Sequence, residues 1–186
     1  ELDTLSSNKN AAFDFCEAAY FLAYKEGQLV GRVAAIINYH ANEKWHTKAV
    51  RFGWIDFIDD IEVSRALLKA VEDYGRSKGM DNVVGPLGFT DFDPEGMLIE
   101  GFDQLGTMAT IYNYPYYPQH MEQLGGWRKD NDYVEYKLIV PKEMPEKYMK
   151  VAQMIEKRYD LHVRAMTRRE IFKDGYGHKV FEVINE

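Results

Sequence analysis

The sequence predicts an α/β (α+β) fold, a mixed β-sheet flanked by helices, and three observations predict it. Residues 48–57 (KAVRFGWIDF) alternate like a half-buried strand, residues 59–78 carry an apolar stripe at helical spacing, and residues 82–89 (NVVGPLGF) read as a second strand. A strand–helix–strand run of this length is a βαβ unit, whose right-handed crossover makes its two strands parallel. Ahead of it, two apolar runs rich in β-branched and aromatic residues, 18–24 and 29–39, flank Lys25-Glu26-Gly27-Gln28, which is a hairpin signal. Three antiparallel strands feeding a parallel pair make the sheet mixed. A small-molecule site in such a unit belongs at the carboxyl ends of the parallel strands.

Taken in order, residues 1–15 form a loop or short helix whose Phe13 and Phe15 dock on the domain. In the second hairpin strand Val30 and Arg32 share one face, and Gly31 and Val33 the other. Residues 40–47 are a polar loop. In the next strand Val50, Phe52 and Trp54 share a face. The helix has Asp59 as N-cap with Glu62 three residues on, a stripe of Val63, Leu67, Val71 and Tyr74 widened by Leu68, Arg76 and Lys78 at the negative pole of its dipole, and Gly79 just past its end. Residues 91–106 form a long acidic loop holding one apolar turn, Met97-Leu98-Ile99. An aromatic run with two prolines follows (112–118), then a short helix over 119–124 stopped by Gly125-Gly126. Residues 127–140 read as one strand, or two turning at Asp130-Asn131. Beyond them come a helix over 141–159 with Pro145 in its first turn, a strand over 161–165, a turn at 175–177, and an apolar stripe from Val180 that the chain end interrupts. The organisation is therefore one domain over residues 1–140 and, over 141–186, a helix, a strand and the start of a further C-terminal segment.

Composition is that of an ordinary globular protein, 46% hydrophobic and 28% charged over 186 residues. A net charge of −7 argues against nucleic-acid or anionic-membrane partners. No apolar run approaches the roughly 20 residues of a membrane-spanning helix. The single cysteine, Cys16, allows no intrachain disulfide and points to a reducing, cytoplasmic compartment; no neighbour marks it as a nucleophile. His40 and His46 lack metal-ligand spacing, so no metal site is expected. Arg164, Arg168 and Arg169 read as surface charge, and Gly85-Pro86-Leu87-Gly88 lacks the Lys-Ser/Thr of a phosphate loop.

The segments GRVAAIIN (31–38), RFGWIDFIDD (51–60), VVGPLG (83–88), GMLIEGFD (96–103) and YNYPYYPQHMEQLGGW (112–127), with the helix ending at Gly79, together resemble the GNAT acyl-CoA N-acyltransferase superfamily, and within it a bacterial branch. The resemblance covers roughly residues 13–140. It implies a chain longer on both sides, with the first helices of the fold preceding residue 1 and a further domain following residue 186. It also implies acetyl-CoA or another acyl-CoA in a wedge between the two parallel strands, and an amine, small-molecule or peptide, as acceptor. Carried over, the backbone of Ile55 and Phe57 on the first strand and Gly85 on the second would flank the thioester. Asp56, at the end of the first strand, would bind or deprotonate the amine. Tyr117 would protonate the departing thiolate, and Asn113 would hydrogen-bond a pantetheine-like or peptide-like ligand.

One departure from the family pattern stands out. The usual glycine-rich loop at the start of the central helix, whose amides hold the CoA pyrophosphate, is replaced here by Ile58-Asp59-Asp60-Ile61-Glu62-Val63. An unpaired carboxylate beside a phosphate costs on the order of 1 kcal/mol or more. The alternative expectation is therefore a binding module that kept the wedge and lost the chemistry.

Overall fold

The computed structural model describes residues 2–108 and 110–185, with no statement on the side chain of Asn185. The chain divides into two compact units, residues 1–133 and 134–186.

The first unit is built on a four-stranded sheet: β1 (Cys16–Lys25), β2 (Gln28–Asn38), β3 (Ala49–Phe57) and β4 (Asn82–Val84), in that spatial order. The first three are antiparallel and β4 lies parallel to β3, so the sheet is mixed as expected. Glu26 and Gly27 form the two-residue hairpin turn, both at positive φ (52° and 79°), the backbone a tight turn between right-twisted strands requires. The connection from β2 to β3 is a helix rather than a loop. In α1 (Tyr39–Trp45) Asn38 caps the start through the Ala41 N–H, and His46 in the left-handed region ends it. Short polar sequences conceal such one-turn-plus helices because their stability comes from the caps rather than from an apolar stripe.

Helix α2 (Ile61–Ser77) crosses over between β3 and β4. Val63, Leu67, Leu68 and Val71 are buried, as the spacing predicts, and Ser64 and Gly75 are buried with them. Gly75 is a contact point: a β-carbon there would lie 2.4 Å from Val50 Cγ1. The cap is Asp60, not Asp59. Its carboxylate accepts from the Glu62 N–H at 3.0 Å and from Lys25 at 2.5 Å, and these two partners hold its pKa below the usual value, Lys25 most.

The core has two sides. Val33, Ala35, Ile37, Val50, Phe52, Phe57 and the α2 stripe form one; Ala12, Cys16, Ala34, Ile36 and Phe89 form the other. Trp54 packs with the second, not with Val50 and Phe52, which corrects the expected strand face. A bulge is the cause. Arg32 pairs with Asp56 and Ala34 with Gly53, so β3 sets two residues, Trp54 and Ile55, against the single Val33, and Trp54 has φ +46°. The bulge inverts the alternation, and Ile55 and Phe57 take over the face that Val50 and Phe52 began.

The expected strand over 82–89 is only three residues long. The expected strand over 127–140 does not form either: residues 125–141 are irregular, and alternation alone made no sheet where no partner strand stands beside it. The short helix before them is longer than expected, α3 (Tyr116–Leu124), ended by Gly125 at φ 67°.

The second unit holds α4 (Glu146–Tyr159), α5 (Arg168–Phe172) and α6 (Tyr176–Asn185). Pro145 stands just before α4 as its cap residue, and residues 161–167 are irregular where a strand was expected. Tyr176 begins α6 instead of sitting in a turn. Thr167 and Glu170 make a reciprocal capping box on α5, and Arg164 pairs with Glu170 and Arg169 with Asp174. Among the described residues no helix is long and apolar enough to cross a membrane.

Candidate functional site

The two parallel strands pair only over Ala49–Arg51 and Asn82–Val84. One further bond, from the Leu87 N–H to the Phe52 carbonyl (2.8 Å), holds the chain as it turns away, and β3 runs on to Phe57 paired with β2 but without β4 beside it. Glycine makes the crossing possible. A β-carbon on Gly53 would sit 2.4 Å from the Leu87 carbonyl oxygen, and one on Gly85 2.4 Å from that of Phe52. Arg51 donates to the Gly88 and Phe89 carbonyls, and Asn38 also donates to that of Phe89, anchoring the diverging segment.

Beyond the parting lies a cleft of about 170 Å³. Its walls are mostly apolar, including Trp54, Ile55, Pro86, Met97 and Ile111; Arg32, Asp56, Asn113 and Tyr117 supply the polar groups. This is less than the roughly 300–1,000 Å³ of sites that enclose a whole ligand, so it suits the reacting end of one.

Four of the six sequence-selected residues, Ile55, Asp56, Asn113 and Tyr117, line this cleft, and Phe57 reaches it only through its contact with Tyr117. Tyr117 lies on α3, 6% exposed, with its ring stacked on Phe57 at 4.1 Å. Its hydroxyl accepts from the Phe57 N–H (3.2 Å) and reaches Asp56 Oδ1 at 3.4 Å. Burial first, and the Asp56 charge with it, push this phenol up to about 12 against the opposing pull of the Phe57 N–H, so it is a neutral donor at physiological pH. Asp56 Oδ2 accepts from Arg32 Nε at 2.7 Å, and both side chains are about half exposed. Tyr116 donates to the Phe57 carbonyl at 2.7 Å. Both backbone groups of Phe57 on the open edge are thus held by tyrosines. Ile55, two residues earlier, belongs to the bulge and lines the cleft. Asn113 lines the cleft, but its amide is engaged with backbone: it accepts from the Leu98 N–H (2.7 Å) and donates to the Leu98 and Tyr114 carbonyls. It clamps the apolar turn of the long loop to the aromatic run. Gly85 stands outside the lining, at the crossing.

Sequence reasoning passed over three residues: Arg32, Tyr116 and His120. His120 is buried, stacked on Phe57 at 5.3 Å, with Nδ1 3.0 Å from Ser64 Oγ and Nε2 3.0 Å from Asp59 Oδ1. The signal for it was helical spacing, since Tyr116, Tyr117 and His120 fall on one face once α3 is begun at Tyr116. Ser, His and Asp in line have the composition of a nucleophile triad, but Ser64 is fully buried and its hydroxyl bonds the Ile61 carbonyl, so no substrate reaches it. The trio ties α3 to the start of α2.

The residues that could hold the thioester end of an acyl-CoA are those of the apolar cleft and the open edge of β3. The pyrophosphate does not fit its usual place. The start of α2 carries Asp59, Asp60 and Glu62, and the Asp60 carboxylate already occupies the Glu62 amide. Cys16 is buried, and burial pushes its thiol up to about 11, which makes it inert as a nucleophile at neutral pH. Among the described residues no group of three or more His, Cys, Asp or Glu stands together as a metal site would need.

No family model matches the chain, and no solved structure matches it. Two curated proteins do. Protein YghO of Escherichia coli is 31% identical over 180 residues, which covers 92% of this chain and 46% of that protein. The bacterial ceramide synthase of Caulobacter vibrioides is 29% identical over 186 residues, covering 94% of this chain and 48% of that protein. The chain spans about half the length of the curated relatives it matches.

Proposed function

We propose that this chain is the thioester-handling part of a GNAT-type acyltransferase that moves an acyl group from a CoA thioester to an amine. The observation that carries the proposal is the pairing of Tyr117 with Asp56 inside the cleft where β3 and β4 part. A ceramide is the fatty amide of a long-chain amino alcohol, so the name of the Caulobacter relative supports N-acyl transfer and an acceptor with an apolar tail.

In this reading the amine nitrogen attacks the thioester carbonyl, whose oxygen faces the Ile55 N–H. The C–N bond forms, Asp56 takes the amine's proton, and the C–S bond breaks. Tyr117 donates its hydroxyl proton to the sulfur and recovers one from Asp56 across their 3.4 Å contact. With the phenol near 12 and a thiol near 8.5, proton transfer from Tyr117 to the free thiolate is uphill by about 5 kcal/mol taken alone, so it is coupled to the return of a proton from Asp56. Arg32 keeps Asp56 aimed at the incoming amine.

The test is turnover by the full-length protein, with amide product followed by mass spectrometry from an acyl-CoA and a long-chain amine. Asp56→Asn and Tyr117→Phe are each expected to lose about 100-fold or more in kcat. Unchanged turnover in both removes the assignment. A second reading, a binding module without chemistry, is favoured by the three carboxylates at the α2 start. Titration calorimetry with acetyl-CoA and CoA separates the two: no heat at millimolar ligand supports the second.

A further inference from the structure

The cleft has two walls, one on each side of β3. Gly31 of β2 faces α2, since a β-carbon on it would meet Leu67 at 2.8 Å and Val63 at 3.2 Å. Its neighbour Arg32 therefore turns to the opposite side, where Ala34 and Ile36 also lie. Asp56 pairs across the strands with Arg32 and shares that side. Trp54 packs there too, because of the bulge, whereas Ile55 and Phe57, on either side of Asp56, join the side facing α2. Of the residues lining the cleft, Trp54, Asp56 and Arg32 thus form one wall, and Ile55, Met97 and Tyr117 the other. Trp54 is firmly backed. Its ring meets that of Phe89 at 5.6 Å, and Phe89, fully buried, meets Phe13 at 5.0 Å. Asn38 and Arg51 in turn hold the Phe89 carbonyl. The backbone of Trp54 is also unusual. Glycine fills the left-handed position of a bulge without strain, yet here a tryptophan occupies it at φ +46°. Such a conformation persists only where the surroundings impose it, and it gathers at ligand sites.

We propose that Trp54 is the residue that selects the acceptor. The inference rests on the acyl-transfer reading above, in which the thioester lies along Ile55 and Tyr117 and the amine arrives at Asp56. An amine held by Asp56 has its first carbons on the wall that carries the indole. The face of an indole attracts a cation and packs against CH2 groups, and it gives an anionic substituent nothing to bind. The class of acceptor it fits is an aliphatic amine. Because Phe89 and Phe13 stand behind the ring, the wall does not retreat, and the space next to the nitrogen is fixed. Trp54 therefore sets how large a group the nitrogen-bearing carbon carries. The acyl group, on the Ile55 and Met97 side, is not measured by it.

The test compares amide formation by the full-length protein from a straight-chain primary amine and from its isomer branched next to the nitrogen, with the same acyl-CoA. Trp54→Ala is expected to move the ratio of their kcat/KM values toward the branched amine by about tenfold or more. The KM for acyl-CoA and the preference for acyl length should stay as in the parent. Trp54→Phe, which keeps an aromatic wall, is expected to move the ratio the same way by a smaller factor, and thermal melts establish the fold of each variant. In the parent protein the indole N–H NMR signal of Trp54, assigned by elimination with Trp45→Phe and Trp127→Phe, should shift when the amine is added to the CoA-bound form. An amine ratio unmoved in a folded variant overturns the proposal. So does a change in acyl-length preference in its place, or an indole signal that the amine leaves where it was. A parent that forms no amide from any pair fails the acyl-transfer reading itself, and this inference falls with it.

Discussion

Replacing Tyr117 with Phe removes one oxygen and leaves the ring stacked on Phe57. The structure then dictates what is lost. Phe57 is buried, and its N–H has the Tyr117 hydroxyl as acceptor at 3.2 Å. Orphaning a buried donor costs about 1–3 kcal/mol. For a unit of this size about 2 kcal/mol corresponds to a fall in Tm of roughly 5–10 °C, read by thermal circular dichroism at pH 7. The hydroxyl also predicts a pH signature. The folded pKa of Tyr117, about 12, lies above the unfolded value of 10. Its stabilising contribution is therefore fully present below pH 10 and is lost as pH rises through 12, by a total of about 3 kcal/mol. The Tm gap between the parent and Tyr117→Phe should shrink over that window, whereas the other tyrosines titrate in both proteins and cancel. Equal melting at pH 7, or a gap that stays constant from pH 9 to 12, refutes the placement of this hydroxyl between Phe57 and Asp56.

Other consequences follow from named contacts. Gly75→Ala, with its new methyl 2.4 Å from Val50 Cγ1, should lower stability by about 1–3 kcal/mol in urea denaturation, and Val50→Ala on top of it should recover part of that loss. Asp60→Ala should lower the Tm at neutral pH more than Asp59→Ala, since Asp60 is the cap; because its folded pKa lies below the unfolded 3.8, the deficit should vanish as pH falls through the folded value. His120→Ala should cost about 2 kcal/mol by emptying the space against Phe57 and leaving the Ser64–Asp59 link broken. Asn113→Ala should raise protease sensitivity in the 91–112 loop, because the clamp on Leu98 is gone, with little change in the global Tm.

Much of the site was open to reading from pattern. The hairpin, the βαβ unit and the α2 stripe carry period-2 and period-3.6 signals strong enough to survive folding, and they put Asp56 at a strand end and Tyr117 on the element after the long loop. Three things were not. The Trp54 bulge is an extra residue in one strand relative to another, so no single strand's alternation reveals it, yet it decides which side of the core Trp54, Ile55 and Phe57 each join. The cap moved from Asp59 to Asp60 because Lys25, 35 residues away, was available to pair with Asp60 and His120 to pair with Asp59. Residues 127–140 alternate well but find no partner strand, and a lone strand has no ladder to stabilise it.

What the chain determined by itself is local: which runs become helix or strand, where glycine and asparagine stop or start them, and that the sheet is mixed with its open end after Phe57. Those follow from side-chain periodicity and from backbone conformations that only certain residues adopt. Tertiary structure decided the rest. The length over which β3 and β4 stay paired, the hold of Tyr116 and Tyr117 on Phe57, the burial of His120 and the partner of each carboxylate depend on groups distant in sequence arriving within hydrogen-bond reach. That proximity is a property of the packed core and is written in no single segment.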